Sequence, residues 1–392
     1  MFARSNVPSS FRYLAIITAV FQGISLAQAP NPVSSPLSLQ NLNALPRPAV
    51  PTDSLEPVTG GAQQPQTSEA RLAAMTLLTK ARQMSSVMST PYDLKTTFVT
   101  SGGLPSDGSW TLEDIAPGKG VYRWSAQGPN YAAVNLYNTT TQGMLYSNQP
   151  GGVLPLRLVQ VREAIFFNIP QLGPQAPLRT AVGYVNGAEQ RCVLIGSGMP
   201  GQAVRDTRGW GDTEYCVDAA TGLLTTYSPV PGLYVHYNYA NAIKFHDKTV
   251  AGSFTISEAG RVVIDAKTES VSDPGDPKSA LFDPAGMIAI GVGRVMTPAF
   301  NLRTMAPPDP KIFRSAPANL AVQVVVLHGS LSPDGHLGET ELLASSDPSF
   351  NQKALDQANQ FSKTMGSVAR GQPGTTQQSH EMIFTFEFVT SQ

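Results

Sequence analysis

The chain has 392 residues, of which 41% are hydrophobic and only 14% charged. An average soluble protein carries about 25% charged residues, so sizeable cores can form here. Its 34 glycines and 32 prolines exceed the usual combined share of about 12%, which excludes a helical bundle and leaves strands, turns and linkers to dominate. Lys+Arg 27 against Asp+Glu 28 provides no electrostatic footprint for a phosphate backbone, so no nucleic acid is expected as a partner.

Arg4 and Arg12 precede an apolar run, Leu14 to Ala27, and small residues around Ala27 and Ala29 offer a cleavage site. Residues 1–29 therefore read as a signal peptide. The run falls short of the roughly 20 apolar residues needed to span a bilayer. The expected location is the periplasm, with inner-membrane anchoring if the signal stays uncleaved. Residues 30–67 are rich in Pro, Ser, Gln and Asn and nearly free of aromatic residues, so they read as a disordered linker.

Order is expected from Ser68, a capping residue, followed by Ala74, Leu77, Leu78, Ala81 and Met88 at helical spacing to about Ser89. Short runs of strand periodicity follow: Leu94 to Thr100, Gly108 to Ala116, Gly120 to Ala126, Tyr131 to Asn138 and Gly143 to Asn148. A second group comprises Thr180 to Val185, Gln190 to Ile195, Thr213 to Asp218, Leu223 to Ser228, Tyr234 to Phe245, Gly252 to Glu258 and Arg261 to Val271. A second helix is expected over Leu156 to Asn168. One helix followed by a long antiparallel meander predicts an α+β fold, an N-terminal antiparallel half-barrel or curved sheet over residues 68–272.

Cys192 and Cys216 are the only cysteines, and in an exported chain they are expected to form a disulfide. Two buried free thiols, or a metal or redox pair, are the competing readings. Trp110, Trp124 and Trp210 read as core or strand residues.

The stretch Glu214-Tyr215-Cys216-Val217-Asp218-Ala219-Ala220-Thr221-Gly222-Leu223-Leu224, then Tyr237 to Phe245 and Ser253 to Val263, resembles lipoprotein-carrier (LolA/LolB-like) and outer-membrane lipoprotein-sorting proteins. The resemblance covers roughly Ser68 to Ser272. It implies a curved sheet closed by helices around an apolar cavity, and lipid or lipoprotein as cargo.

Residues 273–318 read as a Pro-rich connector with one apolar element, Met287 to Val295. In residues 319–392, Leu320 to Leu331 and His336 to Ser345 read as strands around the turn Ser332-Pro333-Asp334-Gly335. Asp347-Pro348 opens a helix carrying Ala354, Leu355, Ala358 and Phe361 on one face, and His380 to Val389 is a last strand with Met382, Phe384, Phe386 and Phe388 on one face. The order is ββαβ.

With Val322, Val324 and Val326, Asp334-Gly335, Ser345-Ser346, Ala354-Leu355 and Phe386-x-Phe388, this layout resembles the C-terminal domain of TonB-like energy transducers. Two of that family's features are missing: the Tyr-Pro pair before the first strand, and Phe-x-Pro after the helix, which reads Phe361-Ser362-Lys363. The resemblance implies strand addition, in TonB-type transport, with an outer-membrane receptor or other envelope protein as partner. The last strand, with Met382, Phe384, Phe386 and Phe388, is the expected partner-binding border; the competing reading is that the phenylalanines are ordinary core and the border is covered.

His236, His246, His328, His336 and His380 are the only histidines, and none has a close metal-binding spacing. His328 and His336 flank one turn and could approach each other across it with Glu339, but they are expected to be solvent-exposed hairpin residues rather than a metal site. No nucleophile elbow, phosphate-binding loop or dinucleotide glycine pattern occurs. No catalytic residue, cofactor or metal is expected, and the chain reads as a non-enzymatic envelope binding protein. The alternative is a lipid or lipoprotein carrier using the cavity of the half-barrel.

Overall fold

The computed structural model describes residues 67–104, 106–118, 120–138, 144–148, 155–166, 169, 178–185, 187–196, 213–230, 232–292, 301–305, 320–331, 337–345, 347–370 and 380–391. The expected signal peptide and nearly all of the linker lie outside these residues, as do Trp210, the 332–336 turn with His336, and the Gly371-Gln372-Pro373 segment.

Helix α1, Ser68–Ser85, starts one residue earlier than its sequence suggests. Thr67 is the cap, its Oγ1 accepting from Ala70 N at 3.1 Å. Ala74, Leu78, Ala81 and Ser85 form its buried stripe, and it ends in a short 3-10 turn, Val87–Ser89, rather than continuing.

The chain then enters an open antiparallel sheet of thirteen strands, in the order β15-β5-β4-β3-β2-β1-β14-β13-β10-β9-β8-β7-β6. Its strands are β1 Tyr92–Thr100, β2 Gly108–Gly118, β3 Val121–Gly128, β4 Tyr131–Asn138, β5 Met144–Ser147, β6 Leu178–Val185, β7 Ala188–Ile195, β8 Thr213–Asp218, β9 Leu224–Val230, β10 Leu233–Asn238, β13 Ser253–Glu258, β14 Arg261–Ser272 and β15 Ile288–Val292. Alternation drives the pairing: in β1 the even-numbered residues Tyr92, Leu94, Thr96, Phe98 and Thr100 are buried, while Lys95 and Val99 face out. The expected single strand Tyr234 to Phe245 is broken after Asn238. That side chain's Oδ1 accepts from Ala240 N at 2.9 Å, an Asx turn that diverts the chain into a separate hairpin of β11, Ile243–Phe245, and β12, Lys248–Val250.

Helix α2, Leu156–Phe166, lies between the large sheet and the terminal module, approaching both β14 and the last strand. Its Leu158 and Val161 join one core with Phe98, Trp110, Trp124, Tyr215, Tyr227 and Phe254 from the sheet.

The terminal module is a four-stranded sheet, order β16-β19-β17-β18, made of β16 Asn301–Met305, β17 Leu320–Leu331, β18 Leu337–Ser345 and β19 His380–Ser391. Helix α3, Asn351–Arg370, follows a 3-10 turn, Pro348–Phe350, that Asp347 caps. Two strands, β15 and β16, fall inside the expected connector. β15 extends the large sheet beside β5, and β16 pairs in parallel with β19 from Asn301↔Ile383 to Met305↔Glu387. The ββαβ order is therefore preceded by another strand, and β19 is not a border. It is paired by β17 on one side along its whole length and by β16 on the other.

Candidate functional site

Nine of the eleven residues of α2, including Arg157, Gln160 and Arg162, are buried. An apolar groove thus holds a helix with charged side chains near its start, at Arg157, and just past its middle, at Arg162 and Glu163. Toward one end, the Arg157 guanidinium donates to Glu258 Oε1 at 2.7 Å, Gln160 Oε1 at 3.0 Å and the Ser101 carbonyl at 3.3 Å. Asp107 lies 3.7 Å from its Nε, and Gln160 Nε2 donates to the same Glu258 oxygen at 2.7 Å.

Toward the other end, Arg162 sits 4.5 Å from the Trp124 ring centroid, donates to the Tyr122 hydroxyl and has Nε 3.4 Å from Asp114 Oδ2. Tyr92 donates to Asp114 Oδ1 at 3.1 Å. Arg's planar cation suits this setting, stacking on an indole while its N–H groups meet a carboxylate. Two sheet tyrosines complete the ties: Tyr227 donates to Glu163 Oε1 at 2.8 Å and Tyr237 to the Ala164 carbonyl at 2.6 Å.

Burial sets the protonation of this layer. It pushes Asp114 up from the ordinary carboxylate range, against the pull of Arg162 and of the Tyr122 and Tyr92 hydroxyls. It pushes Glu163 up in the same way, with the Tyr227 hydroxyl opposing. Glu258 goes the other direction: burial would raise it, but His328 and Arg157 beside it hold it well below the ordinary range.

Beside α2 lies a cavity of about 20 Å³ lined by residues including Leu94, Ile165, Tyr237, Val250 and Phe254. That is room for about one water molecule.

Cys192 and Cys216 form a disulfide between directly opposed residues of β7 and β8. Trp110 and Trp124 are core residues. Phe384, Phe386 and Phe388, expected at a partner-binding border, are buried beneath α3 with Leu327, Leu355 and Ala358. They are core because α3 covers that face of the sheet, and β19 is an inner strand, paired by β17 throughout and by β16 from Ile383 to Glu387. Met382 is opposite Gly329 in that pairing.

His328 is another correction. It is only 3% exposed and its Nδ1 lies 3.4 Å from Glu258 Oε2, because β17 is covered by the large sheet rather than facing solvent. His246 is exposed and meets Asp273 at 2.7 Å. The polar ties of α2 escaped the sequence reading. Their one visible signal was the placement of two arginines, a glutamine and a glutamate inside an otherwise apolar run.

No family model matches the sequence, and no curated protein matches it. Among solved structures, a LolA superfamily protein from Nitrosomonas europaea aligns over 52% of this chain and 94% of its own, at 11% identity and a TM-score of 0.37. A Vibrio parahaemolyticus domain named for outer membrane lipoprotein sorting aligns over 53% of this chain and 93% of its own, at 8% identity and a TM-score of 0.32. Among the described residues no helix is long and apolar enough to cross a membrane.

Proposed function

We propose that this chain is an exported, non-enzymatic carrier of the cell envelope that takes an apolar, acyl-bearing ligand into the aromatic groove of its large sheet, where α2 lies in the ligand-free state. The observation that carries this reading is the way α2 is held. It fills a groove of Trp110, Trp124, Tyr215, Tyr227 and Phe254, yet it is fastened by buried ion pairs at two points along its length. Such pairs offset a large desolvation cost and add less net stability than apolar packing of the same volume would. A helix that only filled a core would do better with leucines, whereas charged fastenings fix an orientation and can be exchanged.

The cavity beside α2 is too small for an acyl chain, so uptake requires α2 to leave. Trp110 and Trp124 report on that step. Full-length protein purified from the envelope is expected to carry lipid adducts in native mass spectrometry, and fatty acid brominated along its chain is expected to quench tryptophan fluorescence at saturable, micromolar concentrations. Lipid-free protein whose fluorescence is unchanged by the brominated acid would sink the reading. Strand addition on β19 has no place in it, since that strand is paired on both sides.

A further inference from the structure

The contact between the large sheet and the terminal module holds a second cluster whose geometry calls for a cation. His328 of β17 and Glu341 of β18 are directly opposed across their strand pair. Glu258, the last residue of β13, reaches the same point from the large sheet, so that one ligand atom from each of the three lies within 4.8 Å of the other two. We propose that Glu258, His328 and Glu341 form a binding site for a divalent transition metal of the zinc type, which clamps the terminal sheet to the large one.

An unpartnered buried atom is the first argument. Glu258 is 0% exposed and its Oε1 accepts from Arg157 and Gln160, but Oε2 has no hydrogen-bond partner, and the nitrogen that faces it is Nδ1 of His328, a residue only 3% exposed. A buried carboxylate oxygen left unpaired is costly, and carboxylate and imidazole are donor types that zinc takes.

Distance is the second argument. Glu258 Oε2 and His328 Nδ1 are 3.4 Å apart, beyond the 2.7–3.2 Å of a good hydrogen bond. Two N/O ligands on a tetrahedral zinc, each at roughly 2.0–2.1 Å, sit about 3.3 Å apart.

Charge points the same way. Glu258, Glu341 and Asp107 set three carboxylates against two guanidinium groups, Arg157 and Arg261. Glu341 shares its carboxylate with Arg261 and is 20% exposed, so the cluster opens to solvent on that side for entry of the ion and for a water as fourth ligand.

Full-length protein stripped with a chelator and dialysed against zinc is expected to retain one equivalent by elemental mass spectrometry. X-ray absorption should show only N/O neighbours at about 2.0–2.2 Å, one of them imidazole. His328→Gln and Glu341→Gln should each lose the equivalent, while His246→Gln, at an exposed histidine outside the cluster, should keep it. Glu341→Gln, at a partly exposed position, tests the site even if the buried His328 variant does not fold. Failure of the wild type to retain zinc, or full retention by Glu341→Gln, would overturn the proposal.

Discussion

Glu163 shows how a single residue of α2 makes stability depend on pH. Its folded value is raised by burial above the ordinary 4.5, so the native state takes up a proton at a higher pH than the unfolded chain does. Stability therefore rises as pH falls from neutral toward 4.5 and gains nothing further below that. Glu163→Gln keeps an oxygen for the Tyr227 hydroxyl and removes the buried charge. The variant should be more stable than wild type in urea at pH 7, with the difference closing as pH approaches 4.5. Asp114 behaves differently because it has a cationic partner. Asp114→Ala leaves the Arg162 charge buried without its carboxylate and should cost about 3–5 kcal/mol in urea denaturation. The double variant Asp114→Ala with Arg162→Met should cost well below the sum of the two single changes, because the pair is one interaction.

Between elements, two contacts set how far the strands can shift. The Cys192–Cys216 bond joins β7 to β8 across a separation of 24 residues. Closing a loop of that size in the unfolded chain contributes roughly 3 kcal/mol on the chain-entropy account. Replacing both cysteines by alanine should lower the urea midpoint accordingly, with the folded far-UV spectrum unchanged, because β6 to β9 remain paired through their backbones. Gly232, in the turn between β9 and β10, has φ +82°, and a Cβ there would stand 2.9 Å from the Leu343 carbonyl oxygen of β18. Gly232→Ala combines left-handed strain of about 1–3 kcal/mol with a clash against the terminal sheet. Amide exchange should accelerate in β18 and less in β3 and β4, far across the large sheet; uniform acceleration would mean that this contact does not hold the module in place.

At the scale of the whole molecule, the terminal sheet is built into the rest. One face, through Val325, Leu327, Phe384 and Phe386, packs on α3, and the other, through Val326, Leu343 and Ile383, joins the core of the large sheet and α2. Removing residues 319–392 would expose the part of the large-sheet core and α2 that this second face covers and leave Glu258 without His328. The truncated chain is expected to be less soluble and to bind a dye for apolar surface more strongly than the full chain, and a soluble, dye-negative truncation would contradict this arrangement. The same layering places α2 between two sheets, so release of α2 for a ligand requires the terminal module to yield as well.

Most strands, both helices of the first region and the ββαβ order of the last 74 or so residues were legible in the sequence, because apolar alternation, helical spacing and Gly, Pro, Asn and Asp turns are local signals that neighbouring residues carry themselves. The pairing of β16 with β19, which turns an expected border into the middle of a sheet, was not legible, since five residues of strand inside a Pro-rich stretch give no sign of their partner 82 positions away. Nor was the meeting of Glu258 with Arg157 and His328, which are 101 and 70 positions from it. Backbone hydrogen bonding and the desolvation of charge are satisfied in space rather than along the chain, so the partners of a buried glutamate, arginine or histidine are decided only when the sheets close over them.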